Sequence, residues 1–531
     1  MSSSVGGNKY EYVSSNELAD LMNSNSLFAV FDTREPGEYN RCQIPGTTSL
    51  PRSQIEFRIS QLVPNAGIPV IIYDQAEERA PFAADTLKEL GYRTVSILRG
   101  GIAAWCNENR PTVSGVNVPS KAFGEKVHRE RNIPEISADE LYRLKNEHKP
   151  LRILDVRTPE EHSRFCIPGA VNVPGGDLIL WLEELEESKT PVIVNCAGRT
   201  RSIVGTAALR RLGLADVRAL KNGTMGWVLS GFELEKTPAR TTSHPPEQSR
   251  AGAVSRALAL AAEENIASVS PEEFAAAVAN KTDGVGYAID VRSEAEYESG
   301  HIAGSLNIPG GQAVQRADDF VAVRNANIFF ISDQSARAVM AAYWYRQMGF
   351  LNVFVLQGGL RAWSASGARL DRGIPQDEPL GFAIAKRNAK FLGPEELARR
   401  IRQSAMLILD VGTSLDYEAA HLPGSKWISR GWLEIMIPER FPDRGQAIVL
   451  TCIDGMQSIF AALALRRTGY VDVAVLSGGV RAWQAAGLPT ETGLDARLVE
   501  ANDVVLSPSI RGSKEDMQRY LDWEVRLTKD L

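Results

Sequence analysis

The chain repeats one spacing of residues four times along its 531 residues. In each copy, a loop residue is followed by a glycine 17 residues later and by a tryptophan 31 residues later. Chance resemblance would not hold two distances fixed in four places, so the sequence predicts four copies of one structural module. The four sets are Asp74, Gly91 and Trp105; Cys196, Gly213 and Trp227; Ser332, Gly349 and Trp363; and Cys452, Gly469 and Trp483.

Each copy also carries the same order of local signals. A capping signal such as Ser137 to Glu140 begins a helix, and the apolar strand that follows ends in an aspartate. A turn, a short strand, and a continuous apolar strand that leads through a loop into a helix complete the module. This alternation indicates α/β domains, each with a mostly parallel sheet flanked by helices on both faces. The strand-end aspartates, expected to fix the next turn through backbone hydrogen bonds, are Asp32, Asp155, Asp290 and Asp410.

The repeats predict four domains, with boundaries at residues 10–118, 132–240, 265–375 and 388–492. A chain of 531 residues is too long for one hydrophobic core, and its 44% hydrophobic and 23% charged residues are ordinary for packed domains. Residues 493–531 form a C-terminal tail with apolar residues at roughly helical spacing. We expect this tail to be partly helical and to pack on one of the modules.

Charge and composition exclude several classes of function. The net charge is −6 and no Lys/Arg block occurs, so neither nucleic acid nor a membrane is expected as a partner. The sequence has no signal-peptide pattern and no apolar run of membrane-spanning length, which makes a cytoplasmic location the default expectation. The five cysteines are scattered and the six histidines lack paired ligand spacing, so we predict neither a disulfide framework nor a metal site.

Five motifs recur in order through the modules: DVR, an acidic segment, (H/C)IPGA-x-N-x-P, a cysteine loop and GG-x-x-AW. Together they resemble the rhodanese domain. The resemblance covers nearly the whole chain and fails only in the linker near residues 241–264 and in the tail after about residue 493. It implies four tandem rhodanese-like domains and sulfur transfer through a cysteine, with no cofactor. Because one fold hosts several chemistries, the activity of each module has to be argued from its loop.

The second module carries an intact loop for this chemistry. Its strand-to-helix geometry aims backbone N–H groups and the positive end of a helix dipole at one point, which favours an anion. We expect two arginines and this helix end to lower the pKa of Cys196, and Arg199 and Arg201 to hold an anionic sulfur donor. The alternatives are an inert buried thiol and structural salt bridges of the arginines. The predicted loop is Cys196, Ala197, Gly198, Arg199, Thr200 and Arg201, followed by Ser202.

The other three loops depart from this pattern. Cys452 is a candidate second catalytic or relay cysteine, but Gln457 stands where the second module has its late arginine, and Asp454 adds negative charge. Asp74 and Ser332 replace the cysteine in modules one and three, which are therefore predicted to be inactive scaffold or docking domains. Their late arginines, Arg79 and Arg337, indicate either anion cradles or structural ion pairs.

Two further cysteines and the tryptophans have structural interpretations. Cys42 and Cys166 stand where the resemblance places the histidine that His301 and His421 supply, and we predict small buried residues there. A disulfide between Cys166 and Cys196 under oxidation is the alternative for Cys166. The repeated tryptophans are predicted to anchor the last helix of each module in the core, with Trp227 as a candidate wall of the Cys196 pocket.

The sequence supports three functional hypotheses. The first is a sulfurtransferase that moves sulfane sulfur from a donor such as thiosulfate to cyanide, a small thiol or a protein thiol through a Cys196 persulfide. The second is a sulfur carrier or docking scaffold with little turnover, which the three degenerate loops suggest. The third, a phosphatase or arsenate reductase, is disfavoured because the resemblance implies a longer loop for those activities than the six residues from Cys196 to Arg201.

Overall fold

A computed structural model describes residues 9–236, 245–279, 286–376 and 378–530 of the chain. The predicted end of the second domain at residue 240, part of the linker near residues 241–264, and residue 531 lie outside the described residues. Among the described residues, no helix combines the length and the apolar character needed to cross a membrane.

Four five-stranded sheets form the framework, and every ladder between their strands is parallel. Each sheet has the same order: its first strand lies at one edge, followed by its fifth, fourth, second and third strands. This arrangement confirms the predicted α/β class. In chain order the strands are Glu11–Val13, Ala29–Asp32, Thr48–Ser49, Val70–Tyr73 and Val95–Leu98; Glu135–Ile136, Arg152–Asp155, Val171–Asn172, Val192–Asn195 and Val217–Leu220; Ala267–Val269, Gly286–Asp290, Leu306–Asn307, Asn327–Ile331 and Val353–Leu356; and Lys390–Leu392, Leu407–Asp410, Lys426–Trp427, Ile448–Thr451 and Val473–Leu476.

Helices connect the strands of each module, as parallel ladders require. The helices of the four modules are Ser15–Met22, Pro36–Arg41, Ile55–Leu62, Ala80–Glu89 and Gly101–Asn107; Ala138–Asn146, Pro159–Arg164, Leu182–Ser188, Thr200–Arg211 and Gly223–Leu229; Pro271–Ala279, Glu294–Ser299, Gly310–Gln315, Ala317–Phe320, Ala336–Gln347 and Gly359–Ala365; and Pro394–Gln403, Ser414–Ala419, Leu433–Arg440, Met456–Arg467 and Gly479–Ala485. Short 3-10 helices cover Arg52–Gln54, Gly175–Trp181 and Arg430–Trp432. Outside the modules, helices form at Val118–Glu130, Glu247–Glu263, Phe382–Arg387, Pro508–Arg511 and Lys514–Asp530.

The repeated aspartates and tryptophans hold equivalent places in every module. Each strand-end aspartate accepts a hydrogen bond from the backbone N–H two residues later, as at Asp155 and Arg157 (3.1 Å), which confirms its predicted role in the turn. Each repeated tryptophan donates its indole N–H to the backbone carbonyl six residues later, at 2.8–3.1 Å. Three of them are buried and Trp363 is partly buried against its core, so the core-anchor prediction is confirmed.

The modules group into two compact units. The first unit contains the first and fourth modules: residues up to Val116, 322–324 and 376–505. The second contains the other two modules and the end of the chain: residues 117–321, 325–375 and 506 onward. The predicted tail at 493–531 is therefore divided between the two units.

Modules pack closely against each other inside each unit. In the first unit, the buried Arg52 of module one pairs with Glu434 of module four at 3.1 Å. In the second unit, the backbones of Gly176 and Gly310 approach so closely that a side chain on Gly176 would lie 3.0 Å from the Gly310 Cα. Residues 119–131, which lie between the predicted domains, are helical almost throughout in Val118–Glu130, which we call the bridging helix.

Candidate active site

Cys196 lies directly after a buried strand of the second module and before the helix Thr200–Arg211. Its side chain is 2% exposed, and its thiol points to the hydroxyl of Ser202 at 3.5 Å. That hydroxyl donates in turn to the carbonyl of Arg199 at 2.8 Å. The strand end and the first turn of the helix therefore fix the sulfur at the centre of its loop, next to the helix N-terminus.

The next loop of the same module holds the Cys196 loop in shape. The backbone N–H groups of Thr224 and Met225 donate to the carbonyls of Cys196 and Ala197, at 2.9 and 3.0 Å. Gly223 has a φ of +56°, and a Cβ there would lie 2.3 Å from the Cys196 carbonyl oxygen. Only glycine fits this approach, which explains why this glycine recurs even though NGTMGW departs from the usual motif.

Arg199 turns its guanidinium toward carboxylates of the same unit. It pairs with Glu125 of the bridging helix through Nε (2.5 Å) and Nη2 (3.0 Å), and it lies 3.4 Å from Glu135. A further Nη1 bond reaches Asn222 at 3.2 Å. Arg199 is thus a buried structural cation in this structure, and its predicted contact with an anionic donor stays a prediction.

Arg201 forms a bidentate ion pair with Glu161, with N···O distances of 2.6 and 2.8 Å. Glu161 lies in the first turn of the helix that follows the DVR strand. The same pair occurs in the two modules without cysteine, between Arg79 and Glu38 and between Arg337 and Glu296. Because it forms where no thiol is present, the pair is first of all a part of the fold.

The helix Lys514–Asp530, which we call the C-terminal helix, covers the Cys196 loop. Glu524 is 2% exposed, and its Oε1 accepts a hydrogen bond from the Thr200 hydroxyl at 3.1 Å. A Cβ on Gly198 would lie 3.1 Å from Glu524 Oε2 and 3.7 Å from a methyl of Leu521. The tail thus packs on a module, as predicted, and it does so over the candidate site.

The pKa of Cys196 is raised, which corrects the expectation that it would be lowered. Burial is the main cause, because it removes the thiolate from water, and the nearby Glu524 carboxyl adds to the effect. Arg201 and the hydrogen bond with Ser202 act in the opposite direction. The prediction of a lowered pKa did not include the covering helix or Glu524, and both arginines follow the alternative interpretation of structural salt bridges.

Cys452 lies in the corresponding loop of the fourth module and is 1% exposed. Its sulfur accepts a hydrogen bond from the Gly455 N–H at 3.2 Å and lies 3.6 Å from Asp454 Oδ1. Burial raises the pKa of Cys452 to about 11, with Asp410 and Asp454 contributing in the same direction. Gln457 donates its amide to the Ser53 carbonyl at 3.3 Å. The predicted loss of cationic support is therefore evident at this thiol.

The loops without cysteine show what the same backbone can bind. The Asp74 carboxylate accepts hydrogen bonds from the backbone N–H groups of Glu77 (2.5 Å), Arg79 and Ala80 (2.9 Å). The amides of this loop therefore converge on a negative charge held by the residue at the cysteine position. In module three, the hydroxyl of Ser332 is buried and has no hydrogen-bond partner among the described residues.

All five cysteines are free thiols. Cys166 is fully buried, as predicted, with its sulfur 3.8 Å from Glu235 Oε1, and its disulfide with Cys196 stays a prediction. Cys42 is only partly buried, and its sulfur lies 4.0 Å from that of Cys106. Trp227 belongs to the hydrophobic core around Leu141 and Ile193 rather than to a pocket wall.

Sequence reasoning missed the charged residues that reach the site from outside the module. Glu125 and Lys121 come from the bridging helix, and Glu524 comes from the C-terminal helix. Lys121 Nζ lies 4.8 Å from the ring centres of both Tyr520 and Trp523. The apolar spacing of the tail signalled a helix, whereas no prediction was made for the bridging segment, and no sequence feature paired either helix with the second module.

A family model described as the rhodanese-like domain matches residues 14–108, 137–230, 270–366 and 393–486. A solved structure titled thiosulfate sulfurtransferase from Pseudomonas aeruginosa is 35% identical, covers 98% of both chains and has a TM-score of 0.90. The thiosulfate sulfurtransferase GlpE of Pseudoalteromonas translucida is 36% identical over 81 residues, which are 15% of this chain and 75% of GlpE. A sulfurtransferase of Allochromatium vinosum is 30% identical over 102 residues, 19% of this chain and 94% of that protein.

Proposed function

Since the chain belongs to the rhodanese-like family, with four copies of the domain, we propose that it is a sulfurtransferase whose second domain carries sulfane sulfur as a persulfide on Cys196. The sulfurtransferase names of its relatives support this type of activity in general terms. The observation that carries the finer proposal is the position of Cys196, a thiol at the centre of a six-residue loop and at a helix N-terminus.

The loop backbone supplies the main support for a persulfide. In module one, three amides of the equivalent loop bind the Asp74 carboxylate, so this type of loop stabilises a negative charge at the cysteine position. The terminal sulfur of a persulfide on Cys196 lies as many bonds from its Cα as the carboxylate oxygens of Asp74 do from theirs, so its anion places comparable charge at a comparable position. The loop is Cys196 to Ser202, and Ala197, Gly198 and Thr200 contribute the backbone that surrounds the terminal sulfur.

The proposed reaction has two displacements. In the first, Cys196 attacks the outer sulfur of a donor such as thiosulfate, and the S–S bond of the donor breaks with its electron pair on the departing sulfite. In the second, cyanide or the thiolate of an acceptor attacks the persulfide sulfur, and the electron pair returns to Cys196. The sulfur atom changes partners without any external oxidant or reductant.

Intact-mass spectrometry after incubation with thiosulfate tests this proposal. We expect the protein to gain the mass of one sulfur atom, to lose it on addition of cyanide, and to show no gain as the Cys196→Ser variant. Cys452→Ser is the matched control, because it removes a thiol from the same position of another module, and it should gain sulfur as the unmodified protein does. Absence of the gain in the unmodified protein, or its persistence in Cys196→Ser, would refute the proposal.

A carrier role with little turnover is the second candidate. The burial of Cys196 beneath the C-terminal helix favours it, because a covered thiol protects a persulfide from water but slows exchange of substrates. Steady-state transfer from thiosulfate to cyanide separates the two functions. Many rapid turnovers for each Cys196 support the enzyme, whereas a single loading step followed by slow release supports the carrier.

A further inference from the structure

The proposed chemistry needs a proton acceptor at Cys196. Because burial raises the pKa of this thiol, Cys196 is protonated in most protein molecules near neutral pH. A protonated thiol is a weak nucleophile. The arginines of the loop do not remove this difficulty, since Arg199 is paired with Glu125 and Arg201 with Glu161. A nearby group has to accept the proton when the sulfur attacks.

Glu524 is placed to do so. Its carboxylate is buried over the loop, and only one of its oxygens is occupied: Oε1 binds the Thr200 hydroxyl. The other oxygen, Oε2, is buried without a hydrogen-bond partner among the described residues. It lies against Gly198, two residues after the cysteine, where a Cβ would be 3.1 Å from it. A buried carboxylate oxygen without a donor is costly and calls for an explanation, and a catalytic role is one that such groups have.

Charged and titratable groups surround Glu524 on three elements. Lys121 and Glu125 face it from the bridging helix, Arg199 faces it from the loop, and Tyr520 lies one turn earlier on its own helix. Burial raises the pKa of Glu524, while Lys121 lowers it. Burial in turn lowers the pKa of Lys121 to about 8. Because burial outweighs the effect of Lys121, the pKa of Glu524 is raised. A carboxyl with a raised pKa is better suited to exchange protons near neutral pH.

We propose that Glu524 of the C-terminal helix is the general base for Cys196, accepting its proton directly or through one water molecule. This inference rests on the proposed function. In the first displacement, the Cys196 proton passes to Glu524, a bond forms between Sγ and the outer sulfur of the donor, and the departing sulfite takes the electron pair and then the proton. In the second, Glu524 takes the proton of the acceptor thiol and returns it to Cys196 as the persulfide bond breaks.

The Glu524→Gln variant gives two readouts. Turnover at pH 7 should fall by about 100-fold, a typical contribution of a general base. Alkylation of Cys196 by iodoacetamide at pH 7 should also slow, because the thiol has lost its proton acceptor, whereas loss of a carboxylate that only adds negative charge beside the thiolate would speed it. The turnover deficit should shrink as the pH rises through the pKa of Cys196, where water removes the proton without help.

Asp522→Asn is the matched control, because it removes the same charge from an exposed position of the same helix and should leave both rates unchanged. Formate should partly restore turnover in Glu524→Ala, in which the carboxylate has been removed. If turnover and alkylation both rise in Glu524→Gln, the carboxylate only covers the site and the inference is wrong. If the unmodified protein never gains sulfur, the proposed function itself fails, whatever the variants do.

Discussion

The Cys196 and Cys452 loops share one backbone frame but surround their thiols with different charges. Both sulfurs are buried at the start of a helix and lie near a serine six residues later, at 3.5 Å from Ser202 and 3.7 Å from Ser458. Cys196 has Arg201 nearby, whereas Cys452 has Asp454 at 3.6 Å. The fold therefore sets the position of each thiol, and the surrounding side chains set how readily it ionises.

The two loops also differ in which parts of the chain supply the residues around the thiol. Cys452 is surrounded mainly by residues of its own loop, such as Gly455 and Asp454. The Cys196 loop is completed by two segments outside its module, with Glu125 from the bridging helix and Glu524 from the C-terminal helix. A rhodanese-like domain taken alone would thus not contain the complete Cys196 environment.

The largest effect on this comparison is expected from Arg201→Gln, which gives the second module the residue that Gln457 supplies in the fourth. Arg201 is the strongest of the groups that lower the pKa of Cys196. Its loss should raise that pKa further and reduce alkylation at pH 7 by about 10-fold. Turnover should fall at least as much. Stopped-flow alkylation and thiosulfate kinetics measure both effects.

Arg337→Gln is the matched control for this substitution. It breaks the equivalent ion pair with Glu296, together with the pairs that Arg337 makes with Asp177 and Asp333. The module that carries it has Ser332 at the cysteine position. Any general loss of stability should therefore appear in both variants, whereas the change in Cys196 reactivity should appear only in Arg201→Gln. Equal reactivity of Cys196 in the two variants would mean that the pair is structural in every module.

A smaller effect is expected at the fourth module from Asp454→Asn. Asp454 adds to the raised pKa of Cys452, so its neutralisation should lower that pKa and speed alkylation a few-fold at pH 9. Peptide mapping after iodoacetamide treatment assigns the label to Cys452, and Cys196 in the same sample is the internal control. An unchanged rate would show that the charge of Asp454 does not influence the reactivity of Cys452.

The sequence was sufficient to predict the architecture because the repeat is regular. Fixed distances from Cys196 to Gly213 and Trp227, repeated in all modules, report local structure that every copy forms by itself. The α/β class, the turn aspartates and the tryptophan anchors were accordingly predicted correctly. These features depend on contacts between residues close in the chain or within one module.

The electrostatics of the site could not be predicted in the same way. Arg199 meets a carboxylate 74 residues earlier, and Thr200 meets one 324 residues later. No local pattern specifies such partners, because they depend on how separate helices pack. The prediction of a lowered Cys196 pKa failed for this reason: the arginines are visible in the loop sequence, but the helices that bury the thiol and bring further carboxylates to the loop are not.

The strand-end aspartates of the same two modules extend the comparison from thiol reactivity to stability. Asp155 is buried, but bonds from His162 and Arg157 outweigh the burial and lower its pKa. Asp410 lacks an arginine partner because Gly412 stands at that position. Burial raises the pKa of Asp410 to about 7, and the hydrogen bond from the Gly412 N–H at 2.8 Å acts in the opposite direction. The same turn therefore holds a stabilised carboxylate in one module and a strained one in the other.

The sign of the pH effect follows from this difference. A carboxyl with a pKa near 3.9 in the unfolded chain and about 7 in the fold contributes stability that is fully present only below about pH 4, falls as the pH rises from about 4 to about 7, and is lost above that range. Asp410→Asn should therefore stabilise the first unit at pH 8 by roughly 1–2 kcal/mol, a few degrees in Tm, and by less at pH 5. Asp155→Asn should instead destabilise the second unit at pH 8, because Arg157 and His162 lose their partner. Calorimetry of both variants at the two pH values measures this, and a shift of the same sign in both would contradict the assignment.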